Sequence, residues 1–264
     1  MLPVINIGPL ALPAPQLILL IGFWLGLEIS EKQASHFKID AAKIYNLVLI
    51  AMLAGLVGAR LAYAIQSPAA FRESPLNLLA LRPEMLDGTG GWLAALAAGL
   101  IYMRVKKLAL WPAFDAVSGL LVVLGVSVGL AHLASGDAFG APTQLPWAIR
   151  LWGAQRHPSQ VYETLAALLV GIATWPGRRI SRASIQPGRE GLRFWAFIAL
   201  SAAARIFLEA FRGDSILLAD SLRIAQLVAW VALGFSLWQI GRRIQLASAT
   251  APKEQAMPEE NEPV

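Results

Sequence analysis

The sequence contains no cysteine, so it has no disulfide framework, no thiol nucleophile and no thiolate metal site. Histidine is nearly absent: His36, His132 and His157 are the only three, and no two of them have ligand spacing, which argues against a histidine-based metal centre. Charge is also scarce. Only 15% of the 264 residues are charged, against about 25% in soluble domains. The opening stretch MLPVINIGPLALPAPQ has no basic residue ahead of its apolar run, so no cleaved signal peptide is expected and the first run is read as a retained span. The net charge of +5 is dispersed in short clusters between apolar runs, a pattern that excludes a phosphate-tracking nucleic-acid surface.

What is abundant is apolar surface. Hydrophobic residues make up 56% of the chain and mean hydropathy is +0.56, too much for a globule to cover with polar side chains. The chain is expected to be an all-α integral membrane protein. A bilayer core needs about 20 apolar residues per helix, and seven stretches qualify: 16–30, 45–66, 90–103, 110–133, 159–176, 193–211 and 220–240. The third is short. No repeat is visible. The expected organisation is an outer segment 1–15, a single seven-helix domain 16–241 and a disordered tail 242–264 rich in Pro and Glu.

Lys and Arg set the direction. Connections after the odd-numbered spans hold fourteen of them and the even connections six, placing the N-terminus outside and the C-terminus in the cytoplasm.

Charges within spans are functional candidates by default. Arg60, Arg205 and Arg212 all fall at the outer third of the membrane. Arg205, Glu209 and Arg212 are spaced i, i+4, i+7 and are expected to form one helical stripe suited to an anionic lipid phosphate, because a guanidinium binds phosphate bidentately. Arg60 and Arg212 could instead snorkel, leaving Arg205 and Glu209 as a structural pair. Arg156, His157, Gln160 and Glu163 crowd the start of span five, where Pro158 fits a first helical turn and free backbone N–H groups favour anions. Asp115 is read as structural. His132 and Asp137 close span four.

Four stretches in order, GARLAY (58–63), FGAPTQLPW (139–147), RHPSQVYE (156–163) and RIFLEAFR (205–212), resemble the prolipoprotein diacylglyceryl transferase family. The resemblance covers roughly residues 15–240. It implies seven spans in the bacterial cytoplasmic (inner) membrane and transfer of the diacylglyceryl group of phosphatidylglycerol to the lipobox cysteine of preprolipoproteins, with no metal or organic cofactor. Against the family pattern, Pro15 stands for a Tyr, Thr89 for a His, Gly129 for an Arg and Ser201 for a Tyr. The resemblance then implies His132, His157, Arg205 and Glu209 as the catalytic set and Arg60, Arg156, Gln160, Glu163 and Arg212 as phospholipid ligands. His132 is the candidate replacement for the base missing at Thr89. Two readings compete with this one: a paralogue that binds anionic phospholipid or lipoprotein without transfer, and a different transferase using the same donor.

Overall fold

The computed structural model describes residues 4–7, 10–72, 85–218 and 222–250. A hairpin of β1 (Val4–Ile7) and β2 (Leu10–Pro13) leads into α1 (Ala14–Ala34), whose entry suits Pro15 because the first helical positions need no N–H partner. Then follow α2 (Ala41–Gln66), the single turn α3 (Ala69–Arg72), α4 (Gly88–Val105) and α5 (Leu110–Ser135). A second hairpin, β3 (Ile149–Leu151) with β4 (Ala154–Arg156), precedes α6 (Ser159–Thr174), the short α7 (Arg179–Ser184) and α8 (Leu192–Leu208). The two-residue strands β5 (Leu217–Leu218) and β6 (Leu222–Arg223) pair ahead of α9 (Ile224–Thr250).

Each of the seven expected stretches holds a helix, the seventh starting at Ile224 after the strand β6. Among the described residues, five helices are long and apolar enough to cross a membrane: Ala14–Phe37, Ala41–Gln66, Leu110–Ser135, Leu192–Phe211 and Ile224–Ala249. Their outward faces are apolar, with Leu20, Val57, Phe207 and Val231 exposed, the reverse of a soluble bundle. One boundary is corrected. The chain does not leave the helix at 242: α9 continues to Thr250, and Arg243 is buried, with its guanidinium 4.0 Å over the Trp111 ring. Residues 251–264 of the expected tail lie outside the described residues.

Helix pairs meet through small residues, which let backbones approach closely where lipid provides no hydrophobic drive to associate. The α2–α4 crossing is one such close approach. A Cβ on Gly91 would sit 3.2 Å from the Gly55 carbonyl oxygen, and one on Gly58 3.1 Å from that of Gly90. A second seam joins α5 to α6 through Val122 and Gly171, Gly125 and Ala167, and Gly129 and Thr164.

At the end of the bundle bearing Lys38, Lys43 and Lys107, the packing is dense. Leu27, Phe37, Ile44, Tyr102, Met103 and Ala116 form one buried cluster. Asp115 is structural, but it caps α8 rather than its own helix: its carboxylate accepts from Gly191 N at 2.6 Å and Phe194 N at 2.8 Å. Arg193, buried beside it, donates to the carbonyls of Thr174 and Asp115 and to Gln33 Oε1. This network ties α1, α5, α6 and α8 together.

Candidate functional site

A cavity of about 970 Å³ is lined by α2 and α4 together with α5, α6 and α8. It follows α5 from Phe114 to His132, about 27 Å at 1.5 Å per residue. The walls are apolar, formed by residues such as Leu47, Leu96, Leu121, Ala167 and Phe197. Its polar groups gather at the rim: His132, Glu163 and Arg205, with Ser201 one turn below Arg205. A long apolar slot with a charged mouth matches the shape of a phospholipid.

Glu163 is the hub of that mouth. Its Oε2 lies 3.1 Å from His132 Nδ1. Its Oε1 accepts from Arg205 at 3.2 Å and from Arg212 at 2.5 Å. Arg205 also pairs with the buried Glu209 at 3.0 Å. Arg212 is clamped a second time by Asp214, through Nε at 2.9 Å and Nη2 at 2.7 Å. Burial alone would lower the Arg212 guanidinium, but the Asp214 and Glu163 carboxylates outweigh it and hold the group above its ordinary value. The side-chain exposures separate the two arginines: 37% for Arg205 and 12% for Arg212. Arg205 is therefore the guanidinium open to a ligand.

The expected helical stripe is corrected here. The α-helix ends at Leu208, Glu209–Phe211 form a 3-10 turn and Arg212 is extended, so the three charges do not lie on one helix face. Arg212 reaches Glu163 because the loop beyond α5 stitches its backbone in place. Ala141 N donates to the Phe211 carbonyl, Gly213 N to that of Phe139, and His157 N to that of Ala141. Gly140 sits at the centre, bridged to Arg212, and any side chain there would collide with the His157 backbone.

Several candidate ligands belong to this scaffold instead. Arg156 donates to the carbonyls of Leu151 and Gly140 and lies 4.8 Å over the Phe139 ring. Gln160 is fully buried and donates to the Asp137 carbonyl at 2.9 Å. His157 packs edge-on against Phe211, its Nδ1 buried without a partner. Arg60 is buried on α2, donating to the Met85 carbonyl at 2.8 Å beside the Phe71 ring. None of these four lines the cavity. Of the nine candidates, the structure brings together His132, Glu163, Arg205, Glu209 and Arg212. Asp214 and Gly140 were missed. The two-residue spacing of Arg212 and Asp214 was the available signal for the first.

The substituted positions also find their places. Thr89 is exposed in the first turn of α4, next to Gly88 and Gly91 of the cavity wall. Ser201 and Gly129 both line the cavity. A Cβ at Gly129 would collide with Thr164 Oγ1 and lie 3.0 Å from Thr164 N and 3.1 Å from Thr164 Cα, so a larger residue forces α6 to shift at this crossing with α5. Gly129 thereby sets the distance across which His132, one turn on, meets Glu163. Among the described residues, no group of three His, Asp or Glu side chains is placed to hold a metal ion.

Residues 3–241 match the sequence model of the prolipoprotein diacylglyceryl transferase family. The chain is 28% identical to the phosphatidylglycerol–prolipoprotein diacylglyceryl transferase of Synechococcus elongatus, over 94% of this chain and 90% of the relative. It is 27% identical to the enzyme of that name from Clostridioides difficile, over 82% of this chain and 85% of the relative. A third, from Nostoc sp., is 24% identical over 88% and 86%.

Proposed function

The chain belongs to the prolipoprotein diacylglyceryl transferase family, and from that premise we propose that it transfers the diacylglyceryl group of phosphatidylglycerol to the lipobox cysteine thiol of preprolipoproteins. The protein sits in the bacterial inner membrane with seven spans, α4 and α6 completing the five longer ones, its N-terminus outside and its C-terminus cytoplasmic. The observation that carries the reading is the joining of Arg205 and His132 through one carboxylate at the mouth of an apolar cavity.

The acyl chains of the donor occupy the cavity, bringing the phosphate to the rim. Arg205, partly exposed and anchored by the buried Glu209, binds it and neutralises the charge that grows on the leaving oxygen. A cysteine thiol has a reference pKa of about 8.5, so a base is needed near neutral pH. His132 is the histidine on the cavity wall, and its Nε2 takes the thiol proton. The thiolate attacks the glyceryl carbon, a C–S bond forms and the C–O bond to phosphate breaks. Its electron pair leaves on glycerol phosphate. No residue forms a covalent intermediate.

The test is release of glycerol phosphate by the purified full chain given phosphatidylglycerol and a lipobox peptide. Arg205→Ala and His132→Ala should each abolish release without unfolding the protein. Full activity of Arg205→Ala would overturn the phosphate assignment, and full activity of His132→Ala would remove it as the base.

A further inference from the structure

Glu163 is committed to partners within the protein. One oxygen faces His132 and the other faces Arg205 and Arg212. That division has two consequences. An ionised carboxylate only accepts hydrogen bonds, so the His132 nitrogen facing it must carry the proton. When neutral, His132 then carries its proton on Nδ1 and its lone pair on Nε2, the form a general base requires. The second consequence comes from the cations. In the empty site Arg205 and Arg212 share the charge on Glu163. Arg212 remains whatever binds, because Asp214 clamps it on its other edge. Arg205 is free to turn to an incoming phosphate, and once it does, Glu163 keeps one fewer cationic partner.

We propose that Glu163 is a positioning residue that couples phosphate occupancy at Arg205 to the basicity of His132. With Arg205 drawn onto the donor phosphate, the Glu163 charge is less neutralised and stabilises the imidazolium that forms when His132 takes the thiol proton. The base is at full strength only when the leaving group is already held. A thiol that enters an empty site meets a weaker base. The proposal rests on the reading of Arg205 as the phosphate ligand.

The titratable and charged groups around His132 are few. Among the described residues, Glu163 meets it directly from α6; behind Glu163 stand Arg205 of α8 with its partner Glu209 and Arg212 with its partner Asp214, and Asp137 lies just beyond the end of α5. Of the residues that α2 and α4 contribute to the cavity wall, none is titratable.

The experiment titrates ring-15N-labelled histidine by NMR in the purified full chain, without and with phosphatidylglycerol in the micelle, with His132→Asn assigning the signal. The wild type should show the Nδ1–H tautomer at neutral pH and a His132 midpoint that rises when phosphatidylglycerol is added. Glu163→Gln removes the charge and should abolish that rise; Glu163→Asp, which keeps the charge on a shorter arm, should retain part of it. In the release assay Glu163→Gln should lower kcat by roughly a hundredfold, the size of a general-base contribution, with a smaller change in KM. A wild-type midpoint indifferent to phosphatidylglycerol, or an undiminished rise in Glu163→Gln, overturns the coupling. The titration needs no turnover, so it fails or succeeds separately from the release assay that tests the transferase reading.

Discussion

The α5–α6 seam sets the distance between His132 and Glu163, and Gly129 is where that can be broken most cleanly. A methyl group there would meet Thr164 N at 3.0 Å and Thr164 Cα at 3.1 Å, both backbone atoms of α6. Carbon atoms pack best at about 3.5–4.0 Å, so Gly129→Ala must push the helices apart by roughly 0.5 Å. Overpacking of this kind costs about 1–3 kcal/mol. His132 and Glu163 stand 3.1 Å apart, already near the long end of a hydrogen bond, so the same displacement breaks their contact. The expected result is a lower unfolding temperature in detergent and a loss of glycerol phosphate release of about a hundredfold, borne mainly by kcat. Gly125, one turn earlier on the same seam, is the internal control. A Cβ there would meet Ala167 Cβ at 3.5 Å, an ordinary contact. Gly125→Ala should therefore be neutral or stabilise by about 0.5–1 kcal/mol through the entropy of the unfolded chain. Adding Thr164→Ala to Gly129→Ala removes a hydroxyl but not the backbone atoms, so it should restore only part of the loss. Wild-type rate and stability in Gly129→Ala would refute the claim that this crossing positions the dyad.

Asp115→Ala removes two backbone caps and leaves Arg193 buried without its nearest carboxylate, so thermal stability should fall by about 3–5 kcal/mol; the transferase rate of the folded fraction should be unchanged, because the network lies at the other end of the bundle. Glu209→Gln keeps the volume but loses the carboxylate that holds Arg205 at 3.0 Å, and should reduce kcat/KM by about tenfold to a hundredfold in the release assay. Ser201→Trp fills the cavity beneath Arg205 and should raise KM for phosphatidylglycerol while circular dichroism stays that of the wild type.

Helix existence was legible because it is a local property. Long apolar runs in a chain with so little charge can satisfy their backbones in a bilayer only as helices, and each of the seven stretches holds one. Part of the site was legible on the same ground. Arg205 and Glu209 are one turn apart, and four-residue spacing on a helix makes neighbours of them. The same rule failed three residues later, where the helix ends at Leu208 and the chain turns. Arg212 still joins the site, but through backbone bonds to residues 139–141 that no spacing along the sequence announces.

Tertiary structure alone decided which polar residues meet. Arg60 looked like Arg205 in the sequence, a lone arginine late in an apolar run, yet the packing of α2 on α4 turns it to the Met85 carbonyl. Glu163 looked like one more polar residue at a helix start, and the α5–α6 crossing makes it the partner of His132, 31 residues away. The sequence by itself determined a membrane bundle, its helices and the chemical types at its mouth, because hydropathy and periodicity act within one segment. The pairing of those groups and the cavity beneath them were decided by how the helices cross and rotate. That depends on the fit of Gly129 to Thr164 and Gly58 to Gly90, contacts between residues that are neighbours only once the chain has folded.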